Sequence, residues 1–188
     1  MRIAVSGTHA IGKSTLVAEL GERLPNHTVV PEPYELLEDR GYVFEHPPSV
    51  EDYIAQLRQS IAVLRHPAPN LIVDRSPLDF LGYIYASARP ERFDLTPWVG
   101  PTSEVMASLD LLVALRIDSN HDPAVQDEDM VFRRLVDSRL RDIVDDDSFD
   151  LLDGVDVLIL AGPWHHRAET VLRYAEATRG KQPGTLSL

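Results

Sequence analysis

Residues 7–14 read Gly7-Thr8-His9-Ala10-Ile11-Gly12-Lys13-Ser14, and Thr15 follows them. The stretch has the form G-x-x-x-x-G-K-S and lies between a short apolar run and a segment with helical spacing of apolar residues. A phosphate-binding P-loop requires this strand–loop–helix context. Its glycines let successive N–H groups turn towards one anion, and the helix that follows adds the positive end of its dipole. The stretch therefore predicts a nucleotide site formed by residues 7–15.

Within that site the residue types have different roles. Lys13 is expected to reach the β- and γ-phosphates, and the Ser14 hydroxyl is expected to bind Mg²⁺. His9 occupies a free position of the motif. We expect its side chain to face solvent without a chemical role.

The composition excludes several classes of protein. The chain has 188 residues, 44% of them hydrophobic, with a net charge of −12 and no cysteine. This length suits one domain, and the absence of cysteine excludes disulfides, thiolate zinc sites and cysteine nucleophiles. A charge of −12 argues against bulk binding to nucleic acid or to an anionic membrane. The N-terminus does not resemble a signal peptide and no apolar run is long enough to span a bilayer, so we predict a soluble cytoplasmic protein.

Five short apolar runs predict the strands of a buried sheet. They are nearly continuous rather than alternating, as in a parallel sheet covered by helices on both faces. The predicted strands are residues 3–6, 28–30, 71–73, 109–115 and 155–160. The predicted helices are residues 13–24, 50–65, 77–88, 129–144 and 164–178. This alternation predicts one α/β three-layer domain over residues 1–178, with residues 179–188 as a flexible tail.

A second phosphate-side element is predicted at Asp74. It ends the apolar run 71–73, which is typical of a Walker-B carboxylate that holds Mg²⁺. Arg75 follows it where a mechanical ATPase usually has a glutamate that activates water. The Asp74 segment also lacks the D-x-x-G of Ras-like GTPases. The pattern therefore favours phosphoryl transfer over hydrolysis.

Glu32 is a candidate on the acceptor side. It lies between Pro31 and Pro33 at the end of a predicted strand, so it belongs at the sheet edge where ligands bind in open α/β folds. A fixed carboxylate beside the γ-phosphate suits a general base for an alcohol acceptor. On position alone, an ordinary charged residue at a strand end fits equally well.

An arginine-rich helix is a candidate lid over residues 119–141. The 18 basic residues comprise 16 arginines and two lysines, and four of these arginines fall in nine residues, at Arg133, Arg134, Arg139 and Arg141. Arginine forks stabilise a phosphoryl group in transfer, and a closing lid excludes water. Helical spacing prevents all four from facing one ligand, so we expect Arg133 and Arg134 to reach the phosphates. The alternative is a solvated face with ion pairs along the helix.

Other candidate residues carry weaker signals. Asp79 fits a helix cap after Ser76 better than a substrate ligand, and a substrate ligand is the alternative interpretation. Gln56 and Gln59 lie on a predicted helix and are candidates for reading a base or amide edge. A loop after the last strand is a natural place for adenine, through Gly162, Pro163 and Arg167.

These motifs together resemble the P-loop kinases that act on nucleosides and nucleotides. GTHAIGKST and LIVDRSPLDFLGY are similar to segments of the small AAA-type ATP-binding domains grouped with nicotinamide-riboside kinase. VVPEPYELL resembles the PEP segment of deoxynucleoside kinases, which implies that Glu32 is the general base. The DRS segment is similar to that of deoxynucleoside and thymidylate kinases, implying Asp74 for magnesium or the acceptor hydroxyl and Arg75 for phosphate. The resemblance implies a five-stranded parallel sheet of order 2-3-1-4-5.

The leading functional prediction is an ATP- and Mg²⁺-dependent kinase of a nucleoside or similar small alcohol. The alternatives are a nucleoside monophosphate kinase and an ATP-binding regulatory module without an acceptor substrate. Phosphorylation of nucleic-acid ends is disfavoured by the charge. A small-molecule partner is expected and a membrane is not, and homodimerisation is left open.

Overall fold

The computed structural model describes residues 1–87, 93–118 and 127–179, in which five strands alternate with helices. The strands are β1 (Arg2–Ser6), β2 (Thr28–Val30), β3 (Leu71–Asp74), β4 (Leu111–Leu115) and β5 (Asp156–Leu160). The helices are α1 (Lys13–Arg23), α2 (Pro33–Glu38), α3 (Val50–Leu64), α4 (Pro77–Ser87), α5 (Thr96–Met106), α6 (Asp127–Asp145) and α7 (Trp164–Arg179). The five predicted strands are all present.

The strands form one parallel sheet of order β2-β3-β1-β4-β5. In the register, Val5 pairs with Asp74 of β3 on one side and with Val113 of β4 on the other. The predicted α/β fold class and strand order are confirmed. Because all strands run the same way, the loops that leave their carboxyl ends gather at one edge of the sheet.

Helices cover the sheet on both faces. Ala4, Val73 and Leu112 face one side and pack against the apolar side chains of α3, α4 and α6. Their neighbours along the strands, such as Val5 and Val113, face the other side and pack against α1 and α7. Successive strand residues point to opposite faces, so burial of both faces requires apolar residues at every position. This explains the continuous apolar runs.

Two short-range signals position helices that form the site. The left-handed conformation of Gly12 (φ 87°) immediately precedes α1, so the loop turns directly into the helix. Ser49 and Asp52 form a reciprocal capping box that starts α3. Both starts agree with the sequence prediction to within one residue.

Two helices, α2 and α5, were not predicted from the sequence. Pro33 begins α2, since proline suits the first turn of a helix, whereas the sequence suggested only the end of a strand at this point. Helix α5 contains Pro101 in its interior, which obscures a helical signal. Residues 88–92, 119–126 and 180–188 lie outside the described residues, so the last predicted residue of the helix 77–88, part of the predicted lid and nearly all of the predicted tail do too. None of the described helices combines the length and apolar character of a membrane span.

Candidate active site

Three neighbouring strands bring the predicted phosphate-side residues together. The P-loop leaves β1, Glu32 follows β2, and Asp74 ends β3, which lies between them in the sheet. Residues distant in sequence therefore meet at one edge. The strand order accounts for this meeting, because β2, β3 and β1 are adjacent.

Lys13 lies buried within this edge. Its Nζ donates a hydrogen bond to the Thr8 carbonyl oxygen at 2.9 Å and lies 3.9 Å from Glu32 Oε1. Burial, helped by the charge of Arg75, lowers the pKa of Lys13 to about 8, against the opposing effect of nearby carboxylates. The ammonium group is thus held beneath the loop in a position from which it can meet an incoming anion.

Glu32 is held by two cations. Its Oε2 lies 3.1 Å from Arg75 Nε, and its other oxygen faces Lys13. Burial alone raises the pKa of Glu32, but the charges of Arg75 and Lys13 outweigh it and lower the pKa. Glu32 is therefore a carboxylate at neutral pH, as a general base must be before it accepts a proton.

Asp74 and Ser14 offer oxygen ligands to a metal. Asp74 is buried, and its Oδ1 has no hydrogen-bond partner within the described part of the chain. Burial raises the pKa of Asp74 to about 6, although the charge of Lys13 and a hydrogen bond with Ser14 act in the opposite direction. A hard divalent cation prefers such oxygens, so the orphaned carboxylate oxygen beside Ser14 fits Mg²⁺.

Arg75 connects the carboxylates to the P-loop backbone. Besides Glu32, its guanidinium lies 3.6 Å from Asp79 Oδ1 and donates to the Gly7 carbonyl oxygen at 3.3 Å. Burial alone lowers the pKa of Arg75, but the acidic groups around it raise it overall, so it stays charged. Its backbone has φ 76°, an uncommon conformation for a residue other than glycine. The strained turn brings the guanidinium under the loop.

Asp79 is fully buried and its carboxylate is engaged within the protein. Oδ1 accepts a hydrogen bond from the Gly7 amide at 2.8 Å, and Oδ2 accepts one from the Ser76 amide at 2.9 Å. This matches the cap interpretation and leaves Asp79 outside the cavity described below. A substrate role for Asp79 is therefore not supported by its position.

Arg133 and Arg167 contact the P-loop backbone. Arg133 of α6 donates to the carbonyl oxygens of His9 and Ala10 at 2.9 and 3.3 Å. Arg167 of α7 donates to the carbonyl oxygen of Ile11 at 2.5 Å and to that of Gly162 at 2.9 Å. The sequence predicts Arg133 at the phosphates and Arg167 beside adenine. In the structure both contact the P-loop backbone, and Arg167 also contacts Gly162 of the predicted adenine loop. Arg134, the next residue of α6, is exposed.

A cavity of about 600 Å³ opens beside Glu32 and Arg75. Aromatic rings form much of its wall, at Tyr34, Tyr53, Phe80, Tyr83 and Phe132. Gln56 also lines it, whereas Gln59 accepts a hydrogen bond from Arg40 at 2.9 Å and does not contribute to the wall. The cavity has the size and apolar character of a small-molecule site, with a charged end at the phosphate side.

His9 corrects an expectation of the sequence analysis. It is half-buried and lines the aromatic cavity, whereas the sequence suggested a side chain that faces solvent. Tyr83 binds it twice, accepting a hydrogen bond from the His9 amide at 2.8 Å and lying 3.0 Å from Nδ1. The ring of Tyr83 stacks on that of Tyr53, with 5.0 Å between the ring centroids. Tyr83 therefore joins the P-loop to the cavity wall.

The aromatic wall was missed by sequence reasoning. Tyr83 lies three residues after Phe80 on α4, which is a spacing typical of an ordinary buried helix face. Tyr34 and Tyr53 come from two other helices. No local pattern marks these residues, and a cluster of tyrosines soon after the DRS segment is the only signal that could have suggested them.

The fold and the site define an α/β domain of the P-loop type. A family model described as an AAA domain matches residues 2–167, and the chain belongs to this family. No curated protein matches the chain significantly.

Solved structures of similar fold include a deoxyadenosine kinase from M. mycoides with bound dATP. It has 17% sequence identity and a TM-score of 0.66, and the match covers 94% of this chain and all of that one. A NadR protein in complex with NR has 20% identity and a TM-score of 0.69 over 98% of this chain and 52% of that one. NadR bound to NAD and AMP-PNP matches similarly, at 20% identity and a TM-score of 0.67, over 99% of this chain and 51% of that one. The chain thus spans about half the length of these NadR chains.

Proposed function

We propose that this protein is an ATP- and Mg²⁺-dependent kinase that transfers the γ-phosphoryl group of ATP to a hydroxyl of a nucleoside or a similar small molecule. The observation that carries the proposal is the position of Glu32. Its carboxylate lies between P-loop Lys13, 3.9 Å away, and the aromatic cavity that it helps to line. Similar folds occur in a deoxyadenosine kinase and in NadR, which supports the same class of reaction.

The reaction that fits this geometry is an in-line displacement. Glu32 accepts the proton of the acceptor hydroxyl while the hydroxyl oxygen bonds to the γ-phosphorus. ADP leaves from the opposite side of the phosphorus. Lys13 exchanges its hydrogen bond to Thr8 for contacts with the β- and γ-phosphates. Mg²⁺ held by Asp74 and Ser14 would neutralise charge on these phosphates. Arg75 keeps Glu32 oriented and ionised.

The charge of the cavity favours a neutral acceptor over a nucleoside monophosphate. Among the described residues that line the cavity, Arg75 is the single arginine, and no lysine joins it. Arg75 already pairs with Glu32 and Asp79, so its charge is balanced. An acceptor that carries its own phosphate would need a further cation. A planar base, in contrast, suits the aromatic wall and the Gln56 amide.

Changing Glu32→Gln tests the general base. We expect kcat to fall by about 10²- to 10⁴-fold, with little change in the affinity for ATP, because the amide keeps the shape but does not accept the proton. Glu35→Gln is the matched control, since Glu35 lies in the first turn of α2, the helix that begins directly after Glu32, and is exposed. Near-normal turnover of the Glu32→Gln variant would show that the acceptor is an anion that needs no base.

The acceptor class is tested by ADP release. Purified protein with ATP and Mg²⁺ is screened against nucleosides, nucleotides, sugars and aminoglycoside-like alcohols. We expect a nucleoside to stimulate ADP formation above the rate with ATP alone. If no acceptor does so while ATP still binds, the kinase proposal fails and the regulatory module replaces it. Cytoplasmic location and oligomeric state stay predictions.

A further inference from the structure

Cationic side chains hold five consecutive carbonyl groups of the P-loop. The donors, in order from Gly7 to Ile11, are Arg75 to Gly7 O at 3.3 Å, Lys13 to Thr8 O at 2.9 Å, Arg133 to His9 O at 2.9 Å and to Ala10 O at 3.3 Å, and Arg167 to Ile11 O at 2.5 Å. Two of these donors, Arg133 and Arg167, come from helices on different faces of the sheet. Arg133 lies on α6, which packs with α4, and Arg167 lies on α7, which packs with α1.

Because the peptide bond is planar, the contacts to these carbonyl groups also fix the direction of the N–H groups that follow them. In a trans peptide the C=O of one residue and the N–H of the next point in opposite directions. The carbonyls of His9, Ala10 and Ile11 face Arg133 and Arg167, so the next three N–H groups, from Ala10 to Gly12, face away from them. A P-loop binds phosphate through such N–H groups. The arginines therefore lie on the reverse side of the groups that would bind the anion.

Burial makes this arrangement strong. Arg133 is 1% exposed and Arg167 is 4% exposed. A guanidinium shielded from water polarises the peptide groups that it contacts, since charge-assisted hydrogen bonds are strengthened at low dielectric. Both residues can thus raise anion affinity through the backbone.

We propose that Arg133 and Arg167 are positioning residues that orient and polarise the P-loop amides for the β-phosphate of the donor nucleotide, without contacting the nucleotide themselves. This inference rests on the nucleotide site of the proposed function and not on the acceptor. It differs from a lid arginine that closes on the γ-phosphate and from an arginine that contacts adenine. Each of these alternatives predicts a different pattern of nucleotide affinities.

The test compares ADP, ATP and AMP binding to Arg133→Met and Arg167→Met by calorimetry and NMR titration. ADP places a β-phosphate in the loop, and AMP does not. We expect each variant to bind both ADP and ATP at least about tenfold more weakly, as loss of a charge-assisted hydrogen bond implies. AMP affinity is expected to stay within about twofold. A general loosening of the structure would weaken all three nucleotides alike and would overturn the proposal.

Two further outcomes would also overturn it. If Arg133→Met weakens ATP but leaves ADP unchanged, Arg133 contacts the γ-phosphate directly. If Arg167→Met weakens AMP as much as ADP, Arg167 contacts the adenosine part. Unchanged ADP affinity in either variant removes that residue from the proposal.

Matched variants separate the role from folding. Arg139→Met on α6 and Arg173→Met on α7 remove arginines that no described contact joins to the loop, and both are expected to bind ADP as the unmodified protein does. Where a methionine variant fails to fold, Arg133→Lys and Arg167→Lys replace it. A lysine at position 133 keeps the charge but is expected to hold one carbonyl instead of two, so ADP affinity should fall between those of the Arg and Met proteins. The acceptor screen can fail without changing these affinities, so the two proposals fail separately.

Discussion

At the scale of single residues, the partners of a charged group decide its role. Asp79 and Glu32 are both carboxylates near Arg75, at 3.6 and 3.1 Å. Asp79 has its oxygens occupied by two backbone amides and is fully buried, so it stabilises the turn between β3 and α4. Glu32 keeps access to the cavity and is free to act on an acceptor. A carboxylate thus stabilises the fold at one position and, in our proposal, takes part in the chemistry at the other.

Asp79→Asn should destabilise the protein. The amide group would place a donor against the amide of Gly7 or Ser76, and each buried unsatisfied group costs about 1–3 kcal/mol. Chemical denaturation would measure the loss in the free energy of unfolding. Asp153→Asn is the control, because Asp153 is exposed, and it should change stability by less than about 0.5 kcal/mol. Unchanged stability of the Asp79→Asn variant together with a raised KM for the acceptor would favour the substrate role instead.

At the scale of elements, the start of α3 is a local unit that supports the cavity wall. Asp52 accepts hydrogen bonds from the Ser49 amide at 2.8 Å, the Glu45 amide at 3.1 Å and the Tyr42 hydroxyl at 3.0 Å. These bonds join the segment before α3 to its first turn. Because Gln56 follows one turn later and Tyr53 stacks on Tyr83, the cap fixes the side of the helix that lines the cavity.

The Asp52 cap should make stability depend on pH. Burial raises the pKa of Asp52, but the hydrogen bonds from Ser49, Tyr42 and Glu45 outweigh it and lower the pKa below its ordinary value. The folded protein therefore binds the proton less readily than the unfolded chain. The stabilisation is fully present above the unfolded pKa of about 3.9 and is lost as pH falls through the lower folded pKa.

Asp52→Asn should therefore lower the free energy of unfolding by about 1–3 kcal/mol at pH 7, and by progressively less below about pH 4. Urea denaturation at several pH values would measure the difference between the two proteins. Glu51→Gln is a suitable control, because Glu51 is exposed in the same turn. A difference that stays constant down to the acid limit would show that the Asp52 charge is not what stabilises the cap.

At the scale of the whole molecule, two apolar layers and an acidic surface surround a cationic site. The net charge of −12 describes the chain as a whole, whereas Lys13, Arg75, Arg133 and Arg167 are all buried around the P-loop. Carboxylates of Glu32, Asp74 and Asp79 balance part of that charge. A small nucleotide with its metal suits such a site better than a large polyanion does. The single-domain organisation over residues 1–178 stays a prediction.

The interior strand β4, next to the central strand β1, should contribute much of the stability. Leu112 is fully buried in the layer under α4 and α6. Leu112→Ala is expected to lower the free energy of unfolding by about 2–5 kcal/mol, because it leaves a cavity in a packed layer. Val131→Ala on α6 is the control, since Val131 is 76% exposed and should change stability by less than about 0.5 kcal/mol. Equal losses in the two variants would contradict this account of the core.

Much of the fold could be predicted because its signals are local. The continuous apolar runs follow from burial of both sheet faces, and the capping pair Ser49 and Asp52 and the glycine before Lys13 are short-range requirements. Helix α5 escaped prediction because Pro101 removes the local helical signal, and packing supplies the stabilisation instead. A proline such as Pro33 is equally consistent with a turn, so the local sequence did not indicate helix α2.

The order of residues alone was enough to place a phosphate loop, an acidic strand end and a carboxylate at one sheet edge. It could not say that His9 lines a cavity, that five aromatic rings surround that cavity, or that Arg133 and Arg167 face the loop backbone. A motif at fixed spacing is a short-range constraint, so it can be recognised from the sequence alone. The partner of a long side chain depends on which helices approach it from more than a hundred residues away, and that is set only when the layers pack.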